Sequence, residues 1–170
     1  MNIITLDFET YFDSDYTLSK MTTEAYIRDP RFEAHGVGTR WDVNGEIKLI
    51  WYDEDEFRNH IVHKTIWSNQ IVLCHHAAFD GLILSHHYGV KPARWLDTLS
   101  MAAYLFPGQP RSLEALAQRF GLAPKSVPYD AIRGRHWADM SPETQSGLIA
   151  GCLHDCELTY TIFTKMMKGE

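Results

Sequence analysis

The stretch that most constrains this chain is residues 3–10, Ile-Ile-Thr-Leu-Asp-Phe-Glu-Thr, close to the N-terminus. Asp7 and Glu9 alternate with Leu6 and Phe8, which is the period of a β-strand and places both carboxylates on one face. Two carboxylates on a buried strand cost free energy unless a cation or hydrogen-bond donors compensate them. Hard divalent cations such as Mg²⁺ and Mn²⁺ prefer such oxygen ligands. The pattern therefore fits a metal site, and it also fits an edge strand whose acids are solvated.

Length and composition limit the classes of protein that remain. A chain of 170 residues predicts one domain over 1–170, and a hydrophobic content of 45% is ordinary for a globular protein. No apolar run approaches the ~20 residues of a membrane span, and the N-terminus lacks the basic and apolar segments of a signal peptide. We therefore expect no membrane partner and a cytoplasmic location. Three cysteines without a CxxC motif argue against a disulfide framework.

Charge is distributed unevenly along a chain whose formal net charge is −6. Residues 1–60 carry 13 acids and 6 bases, whereas residues 91–135 carry 7 bases and 3 acids. A basic segment inside an acidic chain can form a local phosphate-binding surface or only a solvated face. The best candidates for phosphate contacts in and near this segment are Arg111, Lys125, Arg133 and Arg135.

Apolar periodicity and turn signals predict an alternation of strands and helices. The dipeptide Asn44-Gly45 is a strong hairpin signal between two of the strands. Ser141-Pro142 is a helix start with a capping serine followed by proline at the first helical position. The predicted strands are 3–10, 34–42, 47–52, 70–75 and 94–97. The predicted helices are 22–27, 53–68, one from about Asp80 to Tyr88, 98–105, 112–120 and 142–167, with an irregular basic loop at 123–140.

Four acids stand out: Asp7 and Glu9 on the first strand, Asp80 at a strand-to-helix junction, and Asp155 in the last helix. The motifs Asp-Phe-Glu-Thr and His-His-Ala-Ala-Phe-Asp, together with the last acid, resemble those of the DEDD 3′–5′ exonucleases, which have the ribonuclease-H-like fold. The resemblance covers nearly the whole chain. It is strongest to the proofreading domain of bacteriophage-type family A DNA polymerases, through Ala25-Tyr26, Asp29-Pro30, Glu33, Leu96-Asp-Thr-Leu and the helix that begins at Ser112.

The resemblance implies an α/β fold with a mixed sheet of about five strands, the first three antiparallel, flanked by helices. It also implies two divalent cations, Mg²⁺ or Mn²⁺, which activate water and neutralise the charge that develops in phosphodiester hydrolysis. By motif match Asp7 would bridge both ions, Glu9 and Asp155 would complete one site, and Asp80 would hold the second ion. The residues implied or considered as nucleic-acid contacts are Phe8, Thr10, His76, Phe79, Arg111, Lys125, Arg133 and Arg135. Of these, Phe8 and Phe79 are expected to be core residues first.

The sequence departs from the family pattern in the third motif. The family places a Tyr four residues before the helix Asp, or a His five residues before it, to orient the attacking water. Here those positions are Gly151 and Ala150. Either another residue orients the water, or catalysis is slow although all four acids are present. The candidates for a substitute are His136, Tyr129 and His154.

The resemblance also implies a substrate and a partner. The substrate would be the 3′ end of single-stranded DNA, and the chain would be a proofreading domain or subunit of a DNA polymerase, in the host cytoplasm if it is viral. Two alternatives stay open at this point. One is a catalytically weakened module that binds nucleic acid or a polymerase. The other is a 3′–5′ exoribonuclease, because discrimination of the 2′-hydroxyl depends on the shape of the pocket.

Overall fold

A computed structural model describes residues 2–43 and 45–170. In these residues five strands form one mixed sheet: β1 (Asn2–Thr10), β2 (Ala34–Val43), β3 (Glu46–Asp53), β4 (Gln70–Cys74) and β5 (Arg94–Asp97). Their order in the sheet is β3-β2-β1-β4-β5, so that β1 lies in the middle. The first three strands are antiparallel, whereas β1, β4 and β5 are parallel. This is the mixed sheet predicted from the sequence.

Within the described part of the chain, seven helical segments flank the sheet. They are α1 (Thr23–Arg28), α2 (54–64), α3 (Ala77–Tyr88), α4 (Thr98–Leu105), α5 (Leu113–Arg119), α6 (Tyr129–Ile132) and α7 (Pro142–Lys168), with 3₁₀ turns at Trp67–Asn69 and Trp137–Asp139. The predicted start of α7 is confirmed, because the Ser141 hydroxyl accepts the N–H of Thr144 and Pro142 follows at the first position. No helix within the described ranges has the length and apolar character needed to cross a bilayer.

The alternation of β1 separates a hydrophobic core from a polar face. Ile4, Leu6 and Phe8 are buried among apolar side chains that include those of α2 and α3. Asp7 and Glu9 point to the other face, where α7 crosses β1 and β2. The strand therefore contributes Ile4, Leu6 and Phe8 to the core and presents its acids to the last helix.

Glycine lets α7 approach the sheet closely. Gly38 of β2 pairs with Asp7 of β1. A Cβ atom at Gly38 would lie 2.7 Å from the Sγ atom of Cys152 on α7, closer than side chains tolerate. Because Asp155 lies one helical turn after Cys152, the same close approach brings Asp155 to the polar face of β1.

Two smaller clusters hold the remaining segments against α7. Side chains of α4 and α5 pack against its C-terminal half. Residues 123–140, which we call the strap, pack against its N-terminal half through Val127, Ile132 and Met140, which contact Leu148. The strap thus lies along the helix that carries Asp155.

Three details differ from the sequence prediction or fall outside it. The helix predicted over 53–68 ends at residue 64 and contains a π-helical stretch, Phe57–Ile61, because Thr65 turns extended and the Trp67 indole N–H donates to the Val62 carbonyl. The strap, predicted as irregular, contains α6 and a 3₁₀ turn. The hairpin prediction at Asn44-Gly45 falls partly on Asn44, which lies outside the described residues.

Candidate active site

The first two acids lie side by side on β1. Glu9 is 7% exposed, and Asp7 is half-buried beside it. The thiol of Cys152 donates to the Asp7 carbonyl at 3.3 Å and lies 3.7 Å from its carboxylate. Within the described residues, one group offers three potential ligand atoms within 4.8 Å of one another: Asp7, Glu9 and Cys152. Because burial raises the pKa of Cys152 well above its usual value, its thiol is a hydrogen-bond donor here.

Asp155 completes the polar face from the middle of α7. It is 1% exposed, and the ammonium of Lys125 on the strap lies 2.7 Å from its Oδ2 atom. Apart from this ion pair, neither Asp155 oxygen accepts a hydrogen bond from any described residue. A carboxylate buried in this way is costly unless cations compensate it.

Asp80 reaches the same strand from the first turn of α3. It is 1% exposed, and its Oδ1 atom accepts the Phe8 N–H at 2.9 Å, between the two acids of β1. The start of α3 is fixed by His76, which has a left-handed backbone with φ of 82°. Its N–H donates to the Asp97 carboxylate, and this hydrogen bond stabilises a conformation that costs roughly 1–3 kcal/mol outside glycine.

The four acids share one electrostatic environment. Burial, and after it the charge of Asp155, raise the pKa of Asp7 to about 7. Burial and the charge of Asp7 raise the pKa values of Glu9 and Asp80 well above their usual range. Burial also raises the pKa of Asp155, although Lys125 opposes this shift. One ammonium does not neutralise four carboxyl groups, so this set of oxygen donors fits hard divalent cations.

A cleft of about 260 Å³ opens beside Asp7 and Glu9. It is lined by residues 7–10, by the aromatic rings of Phe12, Phe79 and Tyr129, and by Lys125. Its volume is close to that of the smallest small-molecule sites, on the order of 300 Å³. A larger pocket of about 520 Å³, lined in part by Glu33 and Trp137, contains none of the four acids.

The structure places the eight predicted nucleic-acid contacts in different environments. Thr10, Phe79 and Lys125 line the cleft, and His76 is half-buried at the start of α3. Phe8 borders the cleft, but the residue is 4% exposed and its ring packs against the core aromatics Phe57 and Tyr88, which agrees with its expected place in the core. The remaining predicted contacts are exposed and do not line the cleft; they are Arg111, Arg133 and Arg135.

Of the three predicted water-orienting residues, Tyr129 lies in the cleft. His136 does not line the cleft; its Nδ1 atom lies 2.5 Å from Glu33 and its ring stacks on Tyr11. His154 does not line the cleft either, and its Nε2 atom donates to the Pro124 carbonyl at 2.9 Å. Both histidines hold the strap.

Sequence reasoning missed three features that shape the site. It did not identify the pairing of Lys125 with Asp155, the cap that Asp97 provides for His76, or the contact of Glu33 with the strap. The Glu33 carboxylate accepts the Trp137 N–H at 3.1 Å in addition to its contact with His136. Only the glycine at position 151 could have signalled a close approach of another segment at that point.

Comparisons with known proteins identify the fold. No protein-family model and no curated protein matches the sequence. Among solved structures, RNase D from Trypanosoma brucei in complex with RNA U12 superposes with a TM-score of 0.64 and 20% identity, over 94% of this chain and 54% of that chain. NrnC from Brucella melitensis with bound Mg²⁺ superposes with a TM-score of 0.61 and 14% identity, over 98% of this chain and 74% of that chain. Exonuclease X in complex with 5′ overhanging duplex DNA superposes with a TM-score of 0.52 and 15% identity, over 99% of this chain and 92% of that chain. The chain thus spans about half of that RNase D, and it has the ribonuclease-H-like fold predicted from the sequence.

Proposed function

We propose that this chain is a metal-dependent 3′–5′ exonuclease that hydrolyses phosphodiester bonds at the 3′ end of single-stranded DNA. The observation that carries the proposal is a cluster of acids around β1 from distant parts of the sequence. Asp7 and Glu9 line the cleft, Asp80 accepts the Phe8 N–H between them, and burial and the charge of Asp155 raise the pKa values of both Asp7 and Glu9. The nuclease activities named for RNase D and Exonuclease X, which share the fold, support the same class of reaction.

The acids have the donor chemistry to hold two divalent cations. Asp7 would bridge them, Glu9 and Asp155 would complete one site, and Asp80 would serve the other, as the motif resemblance implies. When bound, such cations lower the pKa of a water molecule and neutralise the charge that develops on the phosphate. Asp80 is fixed for this role by the Phe8 N–H.

The cleft supplies the rest of the substrate site. Phe79 and Tyr129 offer aromatic surface on which a terminal base can stack, which is a contact that tolerates any base. Lys125 offers a cation for a phosphate oxygen. A cleft of about 260 Å³ suits one nucleotide rather than a duplex end, which supports a frayed or single-stranded terminus as the substrate.

The proposal is tested with 5′-labelled single-stranded DNA and Mn²⁺. The wild-type protein is expected to give a ladder that shortens from the 3′ end. Asp7→Asn should reduce the rate by about 1,000-fold or more, because metal assistance contributes several kcal/mol. Asp55→Asn, on an exposed acid of α2, is the matched control and should leave the rate unchanged. No ladder with folded wild-type protein, or a ladder that survives Asp7→Asn, would refute the proposal.

Two finer points need their own experiments. A ribonuclease is the second candidate, since the T. brucei RNase D structure contains RNA U12; matched DNA and RNA oligomers decide between them by their relative rates. We also propose, from the motif resemblance, that the chain proofreads with a DNA polymerase as a domain or subunit. That role predicts faster removal of a mismatched than of a paired 3′ nucleotide on a primer–template, and equal rates would contradict it.

A further inference from the structure

The strap occupies the space where the family's third motif would place its tyrosine. A Cβ atom at Gly151 would lie 2.8 Å from both the backbone nitrogen and the Cα atom of Val127. Backbone atoms cannot rotate away as a side chain can. Position 151 therefore carries no side chain because the strap passes directly against α7, one turn before Asp155.

The strap is held firmly on both sides of its lysine. The Lys125 N–H donates to Glu114 at 2.8 Å, and the preceding Pro124 carbonyl accepts from His154 at 2.9 Å. Val127 is buried two residues later. The backbone of Lys125 is thus fixed to α5 and to α7. This restricts the direction of its side chain, unlike that of a lysine on a mobile surface loop.

The Lys125 side chain points into the site. It is 25% exposed, and its Nζ atom lies 2.7 Å from Asp155 Oδ2 and 5.6 Å from the centre of the Tyr129 ring. Burial opposes its charge, but Asp155 and the neighbouring acids outweigh this and raise the pKa of Lys125 above its usual value. An ammonium has three donors, so one can bind Asp155 while two remain for other ligands. The Oδ1 atom of Asp155 remains for a metal ion.

We propose that Lys125 is the catalytic residue that replaces the missing Tyr or His of the third motif. Braced on Asp155, its ammonium donates a hydrogen bond to the attacking water or to a non-bridging oxygen of the scissile phosphate, where negative charge grows in the transition state. This inference rests on the proposed exonuclease function and names the residue that completes it.

The reaction balances without any proton exchange on Lys125. The water oxygen bonds to phosphorus while the P–O3′ bond breaks. One water proton passes to a neighbouring carboxylate, and a proton from solvent ends on the O3′ atom of the shortened strand. The product is a nucleoside 5′-monophosphate, and Lys125 stays an ammonium throughout.

A rival explanation gives Lys125 a smaller role, as a counter-ion that neutralises Asp155 only until metal binds. The two explanations differ at saturating metal. A counter-ion that is displaced by metal affects the metal affinity and not the chemical step, whereas a catalytic donor affects the chemical step. Metal affinity and single-turnover rate must therefore be measured on the same variants.

The experiment uses the full chain with 5′-labelled single-stranded DNA under single-turnover conditions at saturating Mn²⁺, and electron paramagnetic resonance of free Mn²⁺ for the affinity. Lys125→Met is expected to lower the rate by about 100-fold or more, as removal of a transition-state donor does. Its Mn²⁺ affinity should stay equal or rise, since a competing cation is gone. Lys64→Met, on an exposed lysine of α2, is the control and should change neither value.

Each outcome decides between the explanations. If Lys125→Met binds Mn²⁺ more tightly but cleaves within about threefold of wild type, the inference is overturned and the counter-ion role stands. If Tyr129→Phe shows the large loss instead, Tyr129 is the replacement. If Lys125→Met does not fold, Lys125→Gln, which keeps a donor to Asp155 without the charge, is judged by the same criteria. If the wild-type protein cleaves neither DNA nor RNA, the exonuclease function is overturned and this inference with it. If the wild-type protein is active and Lys125→Met is equally active, only the inference is overturned.

Discussion

The contact between Gly151 and the strap can be measured with a pair of substitutions on one helix. Gly151→Ala places a Cβ atom 2.8 Å from the Val127 backbone. Gly147→Ala, one turn earlier on α7, places a Cβ atom 3.6 Å from the Pro128 ring, which is an ordinary contact. Both changes replace a helix-interior glycine by alanine, so they differ mainly in the steric contact with the strap.

The magnitude follows from two opposing contributions. Each substitution gains about 1 kcal/mol of helix propensity. At Gly151 overpacking against fixed backbone costs about 1–3 kcal/mol, whereas at Gly147 no such cost arises. The propensity gain cancels in the comparison, so Gly151→Ala should be less stable than Gly147→Ala by about 1–3 kcal/mol. For a chain of this length each kcal/mol corresponds to about 2–4 °C in melting temperature.

Urea denaturation of both variants and of wild type measures the free energies of unfolding. A second readout is the single-turnover cleavage rate, which should fall for Gly151→Ala because the strap moves and carries Lys125 with it. Gly147→Ala should cleave as wild type does. If the two variants are equally stable and equally active, the strap does not press against α7, and the reasoning from Gly151 to Lys125 fails.

Three further predictions address the acids and the strap. The pKa of Asp7 is about 7 in the folded protein and ~3.9 in the unfolded chain, so the folded state binds more protons than the unfolded state between pH 4 and pH 7. In EDTA the free energy of unfolding should therefore fall over this range, by at most about 1.4 kcal/mol per pH unit for this group. Urea midpoints that stay level or rise would contradict this, and Asp7→Asn should flatten the slope. Asp80→Asn keeps an acceptor for the Phe8 N–H, so the melting temperature of this variant in EDTA should match that of wild type. Its stabilisation by Mn²⁺ and its cleavage rate should both decrease. If Mn²⁺ stabilises the variant as much as wild type, Asp80 is not a metal ligand. Glu33→Ala should speed proteolytic cutting within residues 123–140 severalfold. The control Glu24→Ala, which removes a surface ion pair with Arg28, should not. If both variants are cut at the same rate, Glu33 does not hold the strap.

Local signals were sufficient to predict the frame of the molecule. The period of two along β1 placed Ile4 and Leu6 in the core and Asp7 and Glu9 on the opposite face, because a strand exposes alternate residues to different layers. The same period shows why the Phe8 ring lies in the core, since it shares the core face with Leu6. Signals that act within a few residues, such as strand alternation and helix caps, can be recognised in a single sequence.

The contacts that complete the site were not legible, because they join residues that are distant along the chain. Lys125 meets Asp155 only because the strap and α7 pack together. Glu33 meets His136 across 103 positions, so an imidazole that looked available in the sequence is engaged in the structure. Charge and residue type suggested that these groups have functions, but only packing determines which partner each one meets.

A glycine in place of a motif residue is ambiguous in a sequence, and packing resolves the ambiguity. The Val127 backbone lies close enough to forbid even a Cβ atom at Gly151, and the same segment presents an ammonium to Asp155. Keeping Asp155 and Lys125 together in a buried site is costly for stability unless a function benefits, since an ion pair there often stabilises less than apolar packing would. The geometry therefore favours replacement of the tyrosine over decay of the site, and the rate of Lys125→Met at saturating Mn²⁺ is the quantity on which that argument depends.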